Sequence, residues 1–223
     1  MYKKVTHHIT EEHFAHPQAA DIKKAVESKK PIKPKSFYIV NDTECYGLDN
    51  FSKHNIYAWS GLAGRLHDIV VSVCSGSLDS ADLITQLATD ISKISKMISP
   101  IATDAQVTQF NTLLTTWSAA VLTTITDTVG GKDTTADMTA LTASISALAT
   151  FLNSIETTWD ASTVTTILTN VSNLYIAQAT ARVNKDWAGS SAASNNAYKA
   201  LVVEQDDGSP SLADIFASGI ISD

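Results

Sequence analysis

Residues 103–131 read TDAQVTQFNTLLTTWSAAVLTTITDTVGG, and their periodicity decides the fold. Thr103 and Gln106 stand at the spacing of a capping box, in which each side chain takes up a free backbone N–H of a first helical turn. Val107, Phe110, Leu114, Trp117, Val121 and Ile125 then recur at intervals of three and four, one face of an α-helix. Gly130-Gly131 supplies the left-handed backbone that ends it.

The same period extends in both directions. Upstream, Trp59, Leu62, Leu66, Ile69, Val70 and Val73 predict a helix over about Ile56–Cys74, stopped at Ser75-Gly76. Ile84, Leu87, Ile91, Ile94 and Ile98 predict a second over Ser80–Ser99, stopped by Pro100. Downstream, Met138, Leu141, Ile145, Leu148, Leu152 and Ile155 form a bundle seam starting near Asp133. Val164, Ile167, Val171 and Leu174 place a helix over Ser162–Asn184, and another is expected over Ser191–Glu204. After DDGSPS a short helix is expected to begin at Ser209-Pro210, with proline in its first turn. Short polar links between amphipathic helices make neighbours antiparallel. The expectation is an all-α fold, an up-and-down bundle of five to six helices over residues 54–223, with an extended basic N-terminal arm over residues 1–53.

The outward positions are unusual. Between Thr103 and Thr169 there are 20 threonines and only seven charged residues. Threonine is a mediocre helix former, and a solvated helix face more often carries Glu and Lys. A short neutral hydroxyl side chain loses little entropy on burial and can hydrogen-bond to a neighbour. Such a face suits lateral packing into an assembly.

Charge is distributed asymmetrically. Residues 1–36 hold eight lysines (Lys3, Lys4, Lys23, Lys24, Lys29, Lys30, Lys33 and Lys35) against four acids, while the remainder holds eight basic and 19 acidic residues. A basic arm on an acidic body points to an interacting tail. Two prolines in KKPIKPKSFYIV favour extended backbone, and Phe37–Val40 has the composition of one short strand. The net charge of −7 argues against a specific nucleic-acid partner. No apolar run approaches the ~18 residues of a membrane span, and the N-terminus lacks the apolar stretch of a secretory signal. Two cysteines, Cys45 and Cys74, make no disulfide framework.

Catalytic constellations are absent from the pattern. VGGKDT at 129–134 has Asp133 where a phosphate loop needs Ser or Thr after its lysine. There is no nucleophile elbow and no paired-cysteine zinc motif. Asp79, Asp82, Asp90 and Asp104 read as caps and solvated positions, His67 with Asp68 as a surface pair, and the four tryptophans as core or helix-end anchors. One weak alternative is a metal site. His8, His13 and His16 fall in a histidine-rich stretch, and the three-residue step from His13 to His16 would put both on one face of a helix.

Several ordered segments carry a family resemblance. Leu87, Ile94, Ile98 and Pro100 form one, Leu113-Leu114 a second, and Ala149, Phe151-Leu152, Ile155 and Trp159 a third; ADIFASGI, with Ala213-Asp214 and Gly219-Ile220, closes the series. In these the body resembles a poorly understood family of small helical proteins of bacteria and large DNA viruses. Its members are often labelled glycosyltransferases although they carry no evident transferase motif. The family places histidines in the bundle where this chain has Ser60, Trp117 and Asn173, so the resemblance implies a kept scaffold with its polar interior lost. It also implies a virion or cytoplasmic setting.

The expected function is therefore that of a non-enzymatic structural or assembly protein without a cofactor. Protein neighbours in an assembly, reached through threonine-rich faces and the lysines of the arm, are the expected partners, and the chain is expected to be oligomeric. The alternative is a metal- or small-ligand-binding bundle.

Overall fold

A computed structural model of the chain describes residues 38–41, 44–46, 48–203 and 208–221, with side chains over 54–203 and 208–220. Packing divides the chain into two units, Met1–Lys53 with Asp223, and His54–Ser222. In the first, β1 (Tyr38–Asn41) pairs antiparallel with β2 (Glu44–Tyr46), with Tyr38 opposite Tyr46 and an irregularity between Ile39 and Asn41. One strand was expected here; its partner was not. All eight arm lysines, and His8, His13 and His16, lie outside the described residues.

The body is all-α. Seven helices occur among the described residues: α1 (Leu48–Ser75), α2 (Ser80–Lys96), α3 (Asp104–Val129), α4 (Thr135–Ile155), α5 (Ala161–Val183), α6 (Trp187–Val202) and α7 (Leu212–Ile221). The apolar stripes explain why they pack. Leu62, Leu66, Ile69 and Val70 of α1, Leu87, Ile91 and Ile94 of α2, and Phe110 to Ile125 of α3 are buried as their spacing predicts. The same holds for Leu141, Ile145, Leu148 and Leu152 of α4. On α5 the stripe drifts, so that Tyr175 and Ala179 are buried and Leu174 only partly so. Ile84 and Met138, expected inward, are exposed at the first turns of their seams.

Specific contacts fix the helix pairings. Ser72 Oγ donates to Asp79 across the α1–α2 turn, and Arg65 meets Asp90 further along the same pair. Phe110, near the start of α3, lies 6.4 Å from Phe151, near the end of α4. Tyr175 Oη of α5 donates to the Ala63 carbonyl of α1 at 2.9 Å. Trp117 Nε1 of α3 donates to Ser172 Oγ of α5 at 3.1 Å.

Helix ends follow local chemistry. The Thr103–Gln106 capping box forms in full. Gly131 has φ +66°, the left-handed conformation that its lack of a β-carbon allows. The closing helix departs from expectation. Ser211, not Ser209, caps α7, exchanging hydrogen bonds with Asp214, and Pro210 stays outside the helix. A serine with an acid three residues on satisfies two orphan N–H groups, which proline at that place does not.

Asp160 caps α5 and accepts from Thr163 N at 2.8 Å, Thr163 Oγ1 at 2.7 Å and Ser162 Oγ at 2.5 Å. The Ser162 and Thr163 hydrogen bonds hold its carboxyl down at about 2. A depressed folded-state pKa contributes stability that is fully present above the unfolded value near 3.8 and is lost as pH falls towards the folded one. Asn keeps the cap but not the charge. The melting-temperature advantage of the native chain over Asp160→Asn should therefore hold at pH 5 and above, and shrink between about pH 4 and pH 2. Paired thermal melts across that window check it.

Candidate functional site

The most distinctive surface is built by α3, α4 and α5, which pack on one another. Charged residues sit only at their ends. None lies between Asp104 and Asp127, between Asp137 and Glu156, or between Asp160 and Arg182. The outward positions are Thr, Ala, Ser, Asn and Gln with one methionine. On α4 the exposed residues include Thr135, Met138, Thr139, Thr142, Ala143 and Ser146, which border a shallow open depression.

Many of the threonine hydroxyls donate within their own helix. Thr108, Thr112 and Thr116 each donate to the carbonyl four residues earlier, at 2.9, 3.1 and 2.9 Å. Thr126 on α3, Thr139 and Thr142 on α4, and Thr166 and Thr180 on α5 do the same. This is the back-bonding open to Ser and Thr inside helices. At these positions a methyl group faces outward with an oxygen that can still accept a hydrogen bond.

By length and composition α4 is also apolar enough to cross a membrane, although only 39% of that window is buried within the chain. A search for unbroken apolar runs misses it because Thr and Ser are interspersed. It is the lack of charge, not continuous hydrocarbon, that raises its hydropathy.

A second constellation joins α1, α5 and α6. His67 Nδ1 lies 2.9 Å from Gln178 Nε2 and 2.7 Å from Ser194 Oγ. With the amide in this orientation Gln178 donates, so Nδ1 carries the lone pair and the ring proton sits on Nε2. Gln178 is fully buried, and its Oε1 has no hydrogen-bond partner. His67 was expected to form a surface pair with Asp68. Instead its ring turns into the bundle, and Asp68 approaches Arg65 at 4.0 Å. A Ser–His contact is also the start of an acyl-transfer site, but here the same nitrogen is shared with Gln178. Among the described residues no carboxylate is bonded to the ring. The cluster is a polar tie between three helices.

Asp90 was read as solvated and is 7% exposed. Its carboxylate lies beside Gly61 of α1 and meets Lys93 at 3.0 Å and Arg65 at 3.5 Å. Sequence spacing alone does not show this, because the Arg65 partner lies on another helix. Trp187, expected as an anchor, is 62% exposed beneath the Arg182 guanidinium. Burial pushes the thiol of Cys74 up, away from the reactive thiolate.

Among the described residues no group of three or more His, Cys, Asp or Glu is placed to hold a metal ion. The three positions where the resemblance expects bundle histidines serve separate purposes. Ser60 meets the Tyr198 hydroxyl at 3.2 Å, Trp117 bonds Ser172, and Asn173 is exposed. No family model, no curated protein and no solved structure matches the chain.

Proposed function

We propose that this chain is a non-enzymatic structural or assembly protein. It packs laterally through its α3–α4–α5 side and reaches an acidic neighbour with Lys3, Lys4, Lys23, Lys24, Lys29, Lys30, Lys33 and Lys35. The observation that carries the reading is the uncharged outward surface of three consecutive helices, on a body whose α1 and α2 carry charge at mid-length, as at Arg65 and Asp90. A free surface of this extent gains solubility from charge, and its absence supports a surface meant to be covered.

The architecture behind this is an up-and-down bundle of six helices closed by α7. The pairs Arg65–Asp90 and Phe110–Phe151 support antiparallel α1–α2 and α3–α4. The pairs Ala63–Tyr175 and His67–Gln178 support α5 running with α1, and Ser60–Tyr198 with His67–Ser194 support α6 running against it. The resemblance to small helical proteins of bacteria and large DNA viruses supports a virion or cytoplasmic setting.

The arm acts through charge, so its contribution is expected to fall as added salt shortens the Debye length below its ~8 Å at physiological ionic strength. Light scattering on the full chain is expected to give an assembly that shrinks at high salt and on deletion of residues 1–36. An assembly mass indifferent to both changes rules out the role given to the arm.

A further inference from the structure

We propose that the outer face of α4 is the docking site for a second copy of this chain, α4 against α4 about a two-fold axis near Ala143. This rests on the assembly reading above and names its partner and its face.

The first support is a mismatch between composition and burial. A helix without mid-length charge is poorly matched to free solvent on any side its own chain leaves uncovered. Among the described residues α4 alone has the length and apolarity of a span, yet 39% of that window is buried in its own chain. Its inward leucine–isoleucine seam accounts for one side. Two positions on from each seam residue, and so nearly opposite on the helix, stand Ala143, Ala147 and Thr150. With Ala136 and Ala140 they alternate steps of four and three, and all five are exposed. Small side chains at that period let two helix backbones approach closely.

The second support identifies the occupant. Ordinary protein surfaces are roughly one-quarter to one-third charged. Laid on α4, such a surface would strip its charges of water and offer them no counter-charge, a desolvation that an uncharged face does not repay. A copy of α4 brings no charge between Asp137 and Glu156. On both copies the Thr139 and Thr142 hydroxyl protons are already spent on their own helix, so burial of these two side chains strands no donor. Like copies of a chain with net charge −7 repel least where the charge is absent.

Sedimentation equilibrium of the full chain tests this. At high salt, where the arm no longer contributes, the native chain is expected to sediment at twice the chain mass. Ala143→Lys is expected to raise the dimer dissociation constant at least ~100-fold, because two like charges face each other unpaired. Thr139→Arg, one turn earlier, should do the same and guards against a local folding defect. Thr85→Lys, exposed on α2, should leave the dimer intact. Mixing Ala143→Lys with Ala143→Glu should restore a mixed dimer, which only a contact of this face with itself can do. A native chain still monomeric at about 100 μM, a dimer untouched by Ala143→Lys, or a monomer that floats with phosphatidylcholine vesicles overturns the proposal. If Ala143→Lys leaves an assembly intact and deletion of residues 1–36 dissolves it, this face is wrong and the assembly reading stands. A chain monomeric with and without the arm removes both.

Discussion

Phe216→Ala is expected to destabilise the helical unit by about 3–5 kcal/mol. Phe216 lies on α7 and is fully enclosed by three rings. Trp159 is stacked on it at 4.6 Å with planes 7° apart, Phe110 at 5.5 Å, and Trp59 approaches edge-on at 5.6 Å. These rings come from α1, from α3 and from the α4–α5 link, so one side chain on a ten-residue helix is shared by three elements. Truncation leaves a cavity among large rigid rings, which collapse poorly, so the cost falls at the upper end of the range. At ~2–4 °C per kcal/mol for a chain of this size, the melting temperature should fall by roughly 10 °C. Differential scanning calorimetry measures it, and a fall under about 3 °C would mean that α7 contributes little to the fold.

The same clasp explains Gly219. A β-carbon built there would lie within the Trp159 indole, so the backbone of α7 itself packs against that ring. Gly219→Ala must displace either the helix or the indole. Overpacking of this kind costs about 1–3 kcal/mol, occasionally more. Trp159 and Gly219 also belong to two of the segments that carry the family resemblance.

Much of this was legible in residue spacing, and the exceptions share a cause. The stripes of α1 to α4 follow from period 3.6 because burial of one face needs only that a neighbour exists. The start of α1 at Leu48 was missed because Leu48–Asn55 carries no apolar stripe, while the expected boundary rested on one. The start of α6 at Trp187 was missed because Gly189 reads as a break. In the fold Gly189 N instead donates to the Asp186 cap at 2.9 Å, and a side chain at Gly189 would collide with that carboxylate. Asp90, Trp187 and His67 were misplaced for a different reason. Their environments are set by Arg65, Arg182 and the pair Gln178–Ser194, each on another helix or at the far end of the same link. Period describes which side of a helix is inward. It does not describe which polar residue finds a partner there. The uncharged surface was legible as composition, but not the commitment of its hydroxyls, which depends on backbone geometry.

The His67 tie yields the second large effect. His67→Ala removes the acceptor for Gln178 Nε2, whose amide is fully buried and whose Oε1 already lacks a partner. The variant therefore leaves a whole amide unsatisfied in the core, at about 2–3 kcal/mol, near the top of the range for an orphaned buried polar group. Gln178→Leu alone should behave quite differently. It trades an under-bonded amide for hydrocarbon of similar size and leaves His67 bonded to Ser194 at 2.7 Å, so its effect should stay within about 1 kcal/mol of zero. The double variant His67→Ala/Gln178→Leu should then lie close to Gln178→Leu, and most of the cost of losing the imidazole should vanish. A double-mutant cycle by urea denaturation gives the coupling directly. Additive losses would show that His67 stabilises through packing on α6 rather than through Gln178. A large coupling would show that the histidine is held where it is by a buried glutamine, which is a structural task and needs no substrate to explain it.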